Sequence, residues 1–266
     1  MGILTTKIKM ELTNKVEQKH NIKESVFLPR SPEIWENTLQ WQPNPDQWQQ
    51  FQNLYEQILE GNNRLNLTRI TEPLDFVEKH LWDSLAGILL AEDLNQKESY
   101  QVIDIGTGAG FPGLPVAIAF PEWQITLLDS TRKKIQFLDE LLEHLSLSNA
   151  KTLLGRSEAI GQDKQYRTFY DLALIRAVGE PSVCAEYALP LLKIGGLAVL
   201  YRGHWNEEDT AKLAQSILKL GGKIEAIKTV KTPWTEGTRH FIYLRKIDKT
   251  LAYYPRAVGI PTQTPL

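Results

Sequence analysis

Cysteine is almost absent from this 266-residue chain: Cys184 is its one thiol. Neither an intramolecular disulfide nor a cysteine-based zinc site can form, and no metal site is expected. Long apolar runs are missing too. The longest, around Leu81–Leu90, is broken by Asp83, Ser84 and Gly87, well short of the ~20 residues that cross a bilayer. The N-terminal stretch MGILTTKIKMELTNKVEQKH mixes charged and apolar side chains too freely for a secretory signal. An excess of charge is also lacking, with a net −2 and a pI near 6.2. That balance counts mildly against nucleic-acid binding, where domains are commonly strongly basic. Together these absences exclude a disulfide-stapled secreted module, a zinc finger and a membrane span. They leave a soluble, cytoplasmic globular protein, long enough for one large core or two small ones.

The small net charge hides an uneven distribution. Residues 1–23 carry +3 and residues 222–266 carry +5, so the middle carries −10. Two solvated tails are the ordinary explanation of such ends; two basic borders around a polyanion site are the functional one. Residues 1–30 lack clean periodicity and read as a mobile extension. Between 31 and 95, Trp48, Phe51, Leu54, Tyr55, Ile58 and Leu59 fall at helical spacing after an Asn44-Pro45-Asp46 start, and a second helical stretch follows from Pro73 to Leu90. This is a helical cap.

From residue 96 to 247 the pattern changes. Apolar strands at Tyr100–Ile105, Gln124–Asp129, Ala150–Leu154, Leu172–Ala177 and Leu197–Arg202 alternate with helices at Pro112–Phe120, Thr131–Leu147, Pro181–Leu192 and Asn206–Leu220. Near-continuous apolar strands separated by helices predict parallel strands buried on both faces. Right-handed crossovers then give an open, doubly wound α/β sheet. Lys223–Thr232 and His240–Lys246 close it as an antiparallel hairpin, and residues 248–266 form a tail.

The densest chemistry lies at the first strand, in VIDIGTGAGFPG (102–113). An apolar strand carrying Asp104 runs into Gly106, Gly108 and Gly110 and opens a helix near Pro112. Gly108-x-Gly110-x-x-Gly113 matches a dinucleotide fingerprint; Asp104 with Gly106-x-Gly108-x-Gly110 matches an S-adenosylmethionine loop. Electrostatics favours the second. A pyrophosphate at the helix start is repelled by a neighbouring carboxylate, whereas S-adenosylmethionine carries a cationic ammonium and sulfonium that Asp104 would attract. The cofactor's own carboxylate would take loop N–H groups, and glycines let the backbone pass close to it.

Asp129 ends the second strand, placed to accept both ribose hydroxyls of an adenosine. Ser130 and Thr131 follow at a helix start, as cofactor contacts or as an N-cap. Ser157 and Glu158, after the third strand, lie where an adenine edge would sit; a solvated carboxylate is the plainer account of Glu158. Arg176 closes the fourth strand at the carboxyl edge, where a partner or substrate contact explains an arginine better than packing does.

The run from Val102 to Leu138 (VIDIGTGAGFPGLPVAIAFPEWQITLLDSTRKKIQFL), with NLTRIT and KHLWDSL upstream, LIRAV at 174–178 and the tail YYPRAVGIPTQTPL, resembles the small-subunit ribosomal RNA methyltransferase G family. That family is also called glucose-inhibited division protein B. The resemblance covers about residues 45–266. It implies a class I (Rossmann-like) methyltransferase that carries a methyl group from S-adenosylmethionine to N7 of a guanosine in the 530 loop of 16S ribosomal RNA. By motif it puts cofactor contacts on Gly106, Phe111, Asp129, Ser130, Thr131, Ser157, Glu158 and Arg176; packing is the alternative role for Phe111. The chain departs from the family's pattern at Gly155 and Ile175, where serines are usual, at Arg202, where a lysine is usual, and at Ala257, Gln263 and Thr264 in a tail that usually holds lysines.

Guanine N7 has a free lone pair at neutral pH, so positioning and desolvation suffice and no general base is required. Arg176 and Arg202 are the positioning candidates, and Arg132, Lys133, Lys134 and Arg202 the RNA-binding ones. A solvated helix face opposite Ile135, Leu138, Leu142 and Leu145 accounts equally for residues 132–134. His80 and Asp83 form a possible local pair with an architectural or substrate-facing role. The expected partner is 16S ribosomal RNA or a small-subunit assembly intermediate, met by a monomer. A nicotinamide-dependent oxidoreductase and a non-catalytic assembly factor that binds S-adenosylmethionine are the competing readings.

Overall fold

The computed structural model describes residues 27–92, 94 and 97–266. The expected N-terminal extension therefore lies outside the described residues as far as residue 26. Within its remainder Leu28 is buried and its N–H donates to Gln52 Oε1 at 2.9 Å. That end of the extension is docked rather than mobile.

Strands β1 (Gln101–Ile105), β2 (Gln124–Asp129), β3 (Ala150–Leu154), β4 (Tyr170–Arg176) and β5 (Leu192–Arg202) form where the sequence is apolar and β-branched. With β6 (Gly222–Lys231) and β7 (Thr238–Lys246) they build one seven-stranded sheet, ordered β3-β2-β1-β4-β5-β7-β6. β1 pairs in parallel with both β2 and β4, while β7 runs antiparallel to β5 and β6. Helices α5 (Gly113–Ala119), α6 (Arg132–His144), α7 (Ser157–Gln162), α8 (Pro181–Ala188) and α9 (Glu207–Lys219) connect the strands. The chain steps outward from β1 to β3, then returns to β4 on the other side of β1. That reversal makes the β1/β4 junction the switch point where such sheets open a ligand crevice. Alternation along β1 separates two cores: Val102 joins one face, Ile103 and Ile105 the other.

Helices α1 (Pro32–Leu39) and α2 (Pro45–Asn62) precede α3 (Pro73–Phe76), which continues through a π-helical turn at Val77–Trp82 into α4 (Asp83–Leu89). Asn44 caps α2 reciprocally with Gln47. Trp35, Phe51, Leu54 and Ile58 from these helices share one core with Val102, Leu127 and Val199 of the sheet, so the helices are bonded to that face by apolar burial.

Several boundaries differ from expectation. Helix α1 and the short α7 carry too few apolar positions to show a period. β5 begins at Leu192 rather than Leu197, because the pairing with β4 shifts between Tyr170 and Leu172 and admits Gly195 at φ +85°. Pro112 precedes α5 instead of lying in its first turn. The basic C-terminal end is not a solvated tail. Arg256 donates to both oxygens of Glu186, which is fully buried, and Lys246 buries its ammonium on the Leu189 and Leu220 carbonyls and Thr250.

Candidate active site

The loop after β1 is tied down from within. Gly106 and Thr107 donate their N–H groups to the Leu128 carbonyl at 2.8 and 2.9 Å, and Gly110 and Phe111 donate to Thr107 O. Gly108 donates to Asp129 Oδ2 at 3.0 Å. The expectation that these N–H groups wait for a cofactor carboxylate is therefore corrected: they stitch the loop to β2 and to its own Thr107 carbonyl. Glycine is required at 106, where φ is +70° and a Cβ would lie 2.7 Å from Val178 Cγ2.

Asp104 sits behind this loop, fully buried. Its Oδ2 accepts from Thr107 Oγ1 at 2.6 Å and from Gly113 N at 2.8 Å, while Oδ1 is buried with no partner. Burial pushes its carboxyl up to about 6, against the pull of those two donors and of Arg176. Asp129, at the end of β2, also accepts from Thr131 N at 2.8 Å, so the backbone fixes both of its oxygens. Thr131 occupies the N-cap of α6 without a side-chain capping bond, which removes capping as the account of its hydroxyl.

A cleft of about 180 Å³ opens here, bounded by Gly106, Asp129, Ser130, Ser157, Glu158 and, from the C-terminal tail, Thr262. Glu158 departs from the expected free acceptor. It is 2% exposed, and its Oε1 accepts from Arg156 at 2.9 Å, Tyr187 Oη at 3.1 Å and Gly259 N at 3.0 Å. Burial alone would raise its pKa; Arg156 and the Gly259 N–H hold it below the ordinary carboxylate range.

Beyond Ala177 and Val178, which follow β4, lies a second cavity of about 480 Å³. Lys79, His80, Asp83, Arg176, Arg202 and Arg239 are among the residues lining it. Arg176 donates to Lys79 O at 2.8 Å, Asp83 Oδ2 at 3.2 Å and His80 Nδ1 at 3.2 Å. Arginine is donor-only, so Nδ1 accepts, and the ring proton rests on Nε2, which donates to Thr68 Oγ1 at 2.9 Å. Burial, then Arg176 and Lys79, holds His80 well below the usual histidine range. It is a neutral spacer with both nitrogens engaged. His80 and Asp83 are thus joined through Arg176 rather than paired with each other. Arg239 forms an ion pair with Asp83 at 3.2 Å, and Arg202 donates to Gly179 O at 2.7 Å.

A sequence model for the rRNA small subunit methyltransferase G family matches residues 47–242. The chain belongs to that family. It is 58% identical over 242 residues to the ribosomal RNA small subunit methyltransferase G of Trichormus variabilis, covering 90% of this chain and 99% of the relative. Against the Trichodesmium erythraeum protein of the same name the identity is 55% over 241 residues, covering 90% and 94%. Among solved structures it is similar to M. jannaschii TYW2 in complex with AdoMet, at 16% identity and a TM-score of 0.45, over 58% of this chain and 71% of that one. The strand order is that of a class I methyltransferase sheet, and membership in the family makes the chain a methyltransferase with S-adenosylmethionine as its cofactor. Membership in the family overturns the oxidoreductase reading.

The residues present fit that cofactor. An unpartnered buried carboxylate oxygen, Asp104 Oδ1, stands behind the loop and suits a cationic ligand. Arg156, a cation lining the cleft, is paired to Glu158, which leaves no free guanidinium there for a pyrophosphate. Gly106, Asp129, Ser130, Ser157 and Glu158 meet at the cleft. Asp104 and Gly108 support it from behind, and Thr131 abuts it through Asp129. Phe111 does not reach it: the ring is stacked on His80 with centroids 4.2 Å apart and meets Phe76 edge-on, which is the packing role. Arg176 lines the second cavity instead, together with Arg202. Arg132 and Lys133 are exposed on α6 and, like Lys134, line neither cavity.

Sequence reasoning missed Arg239 and Glu78. Glu78, in the π-helical turn, accepts from Trp234 N at 2.7 Å and Thr235 N at 2.8 Å, pinning the β6–β7 turn beside the cavity and so setting Arg239. Burial opposes its charge, but these donors and the Thr235 hydroxyl lower its pKa. The usable signal was an acidic side chain inside a strongly apolar helix.

Proposed function

We propose that the chain methylates N7 of a guanosine in the 530 loop of 16S ribosomal RNA, acting as a monomer on the RNA or on a small-subunit assembly intermediate. One observation carries this reading: the cofactor cleft and a cavity rich in arginine and lysine abut across Ala177–Val178 at the switch point. Lys79, Arg176, Arg202 and Arg239 face Asp83 as the one carboxylate lining that cavity, an excess of positive charge suited to nucleotide phosphate.

S-Adenosylmethionine supplies an activated methyl group when bound. The chain's own part is to hold the nucleophile in line and keep water out. Asp129 would hold the ribose and Asp104 would balance the ligand's positive charge. Arg176, locked by Lys79 O, Asp83 and His80, would fix the guanosine from the other side. No side chain is poised as a general base: His80 has both nitrogens engaged, and Asp83 is buried against two guanidiniums. An in-plane lone pair such as guanine N7 needs none. Borohydride–aniline cleavage of 16S RNA, read by primer extension after incubation with enzyme and donor, tests the proposal. Scission at one 530-loop guanosine is expected; methyl incorporation without scission there would overturn the N7 assignment. No incorporation at all would favour the non-catalytic assembly factor.

A further inference from the structure

The C-terminal tail, whose role neither the family membership nor the chemistry of methyl transfer accounts for, is fastened against the cofactor cleft at several points. Arg256 donates through Nε and Nη2 to the buried carboxylate of Glu186, at 2.9 and 2.6 Å. Its own backbone N–H adds a bond to Glu186 Oε1 at 2.7 Å. One residue further along α8, Tyr187 donates to Glu158 Oε1, the atom that also accepts the Gly259 N–H. The tail and the cleft floor are thus held by neighbouring residues of one helix. Arg167 secures the approach, donating to the carbonyls of Gly161, Tyr254, Thr250 and Leu251. Past Gly259, at φ +86°, the chain turns into α10 (Ile260–Gln263), and Thr262 lines the cleft together with Asp129 and Ser157.

We propose that the tail is a working part of the cofactor site: the Gly259–Thr262 turn walls the adenosine end of the cleft, and tail docking and cofactor occupancy stabilise each other. The inference rests on reading the cleft as the cofactor site. Ser157 and Glu158 follow β3, beside the ribose-binding Asp129, where an adenine would lie. Glu158 Oε1 already takes three donors, so the contribution of that oxygen is to hold the wall in place. Detaching the tail removes one donor from this buried carboxylate and opens one side of the cleft to water. Thermodynamic linkage requires the reverse effect, so cofactor must tighten the tail.

The test is calorimetric titration of S-adenosylhomocysteine into the full chain, without RNA, alongside hydrogen exchange of residues 251–266. Arg256→Gln should speed tail exchange and weaken binding by about tenfold, and ligand should slow tail exchange in the parent by a similar factor. Thr262→Trp, at an exposed position outside the clasp, should also weaken binding about tenfold by filling the cleft, and it decides the matter if Arg256→Gln does not fold. Fast tail exchange with affinity unchanged within about twofold, or parental affinity in Thr262→Trp, overturns the inference. Gly106→Ala separates the two readings: if it too binds like the parent, the assignment of the cleft to the cofactor has failed. Because RNA is absent, the outcome is independent of which base is methylated.

Discussion

The two cavities that meet at the end of β4 are built in different ways. The cofactor cleft is made largely of backbone: a glycine loop folded onto Leu128 O, and an Asp129 carboxylate whose oxygens are fixed by the Gly108 and Thr131 N–H groups. The basic cavity is made of long side chains brought from the π-helical turn, β4, β5 and β7, with one buried carboxylate, Asp83 of α4, between Arg176 and Arg239. A backbone cradle of this kind is fixed once β1, its loop and the neighbouring β2 have come together. A side-chain cluster of this kind exists only when the whole sheet and the helical layer are assembled. Damage to the two regions should therefore register in different observables.

The largest effect is expected at the shared carboxylate. Arg176→Met leaves Asp83, 5% exposed, with a single guanidinium partner. It should lower unfolding free energy by about 3 kcal/mol in urea titrations, and methyl transfer to RNA should be lost with it. Next comes Asp104. Its folded-state pKa of about 6 lies above the ordinary 3.8, so its contribution is fully present below pH ~4 and lost as pH rises through ~6. Asp104→Asn should remove up to about 3 kcal/mol of that loss, so the variant gains stability over the ligand-free parent between those pH values. Equal pH profiles for the two proteins would show that folding does not shift the Asp104 carboxyl.

Smaller effects sharpen the comparison on the RNA side. Arg239→Gln should weaken RNA binding about tenfold and reduce the salt slope by about one, leaving S-adenosylhomocysteine affinity unchanged. Joint replacement of Arg132 and Lys133 by glutamine should change RNA affinity by no more than about twofold at physiological salt, because neither residue lines the cavity. A larger loss in the double variant than in Arg239→Gln would place the RNA on α6 instead.

The same contrast explains what was legible in the sequence. The sheet, the glycine loop and Asp129 are encoded by contiguous residues, so periodicity and spacing reach them. The closing hairpin was legible too, and so was Arg176 as an arginine ending an apolar strand. Arg239 was not, because it meets Asp83 only after β7 has inserted between β5 and β6. Glu158 and Arg256 look like solvated charges in the sequence, yet Glu158 accepts from Tyr187 and Gly259, and Arg256 pairs with Glu186, all partners that only the finished fold brings near. Phe111 sits inside the most specific motif of the chain and still packs against the helical layer, since motif membership does not fix which side a ring faces. The weakly acidic average was misleading for a similar reason. Basic residues of the C-terminal end are bound internally by Glu186, Glu225 and backbone carbonyls, while the arginines that border the site come from separate strands.

The central claim is that this chain positions a nucleophile that already has its lone pair, and supplies no base. The single-turnover rate of methyl transfer to 16S RNA, measured against pH at saturating donor, tests it most directly. The account predicts a rate independent of pH from about 6.5 to 9, since His80 stays neutral across that range and no other group of the cavity has to give or take a proton. A rate that climbs tenfold per pH unit through a pKa in that window would contradict it, and would mean that a side chain of the cavity removes a proton in the step.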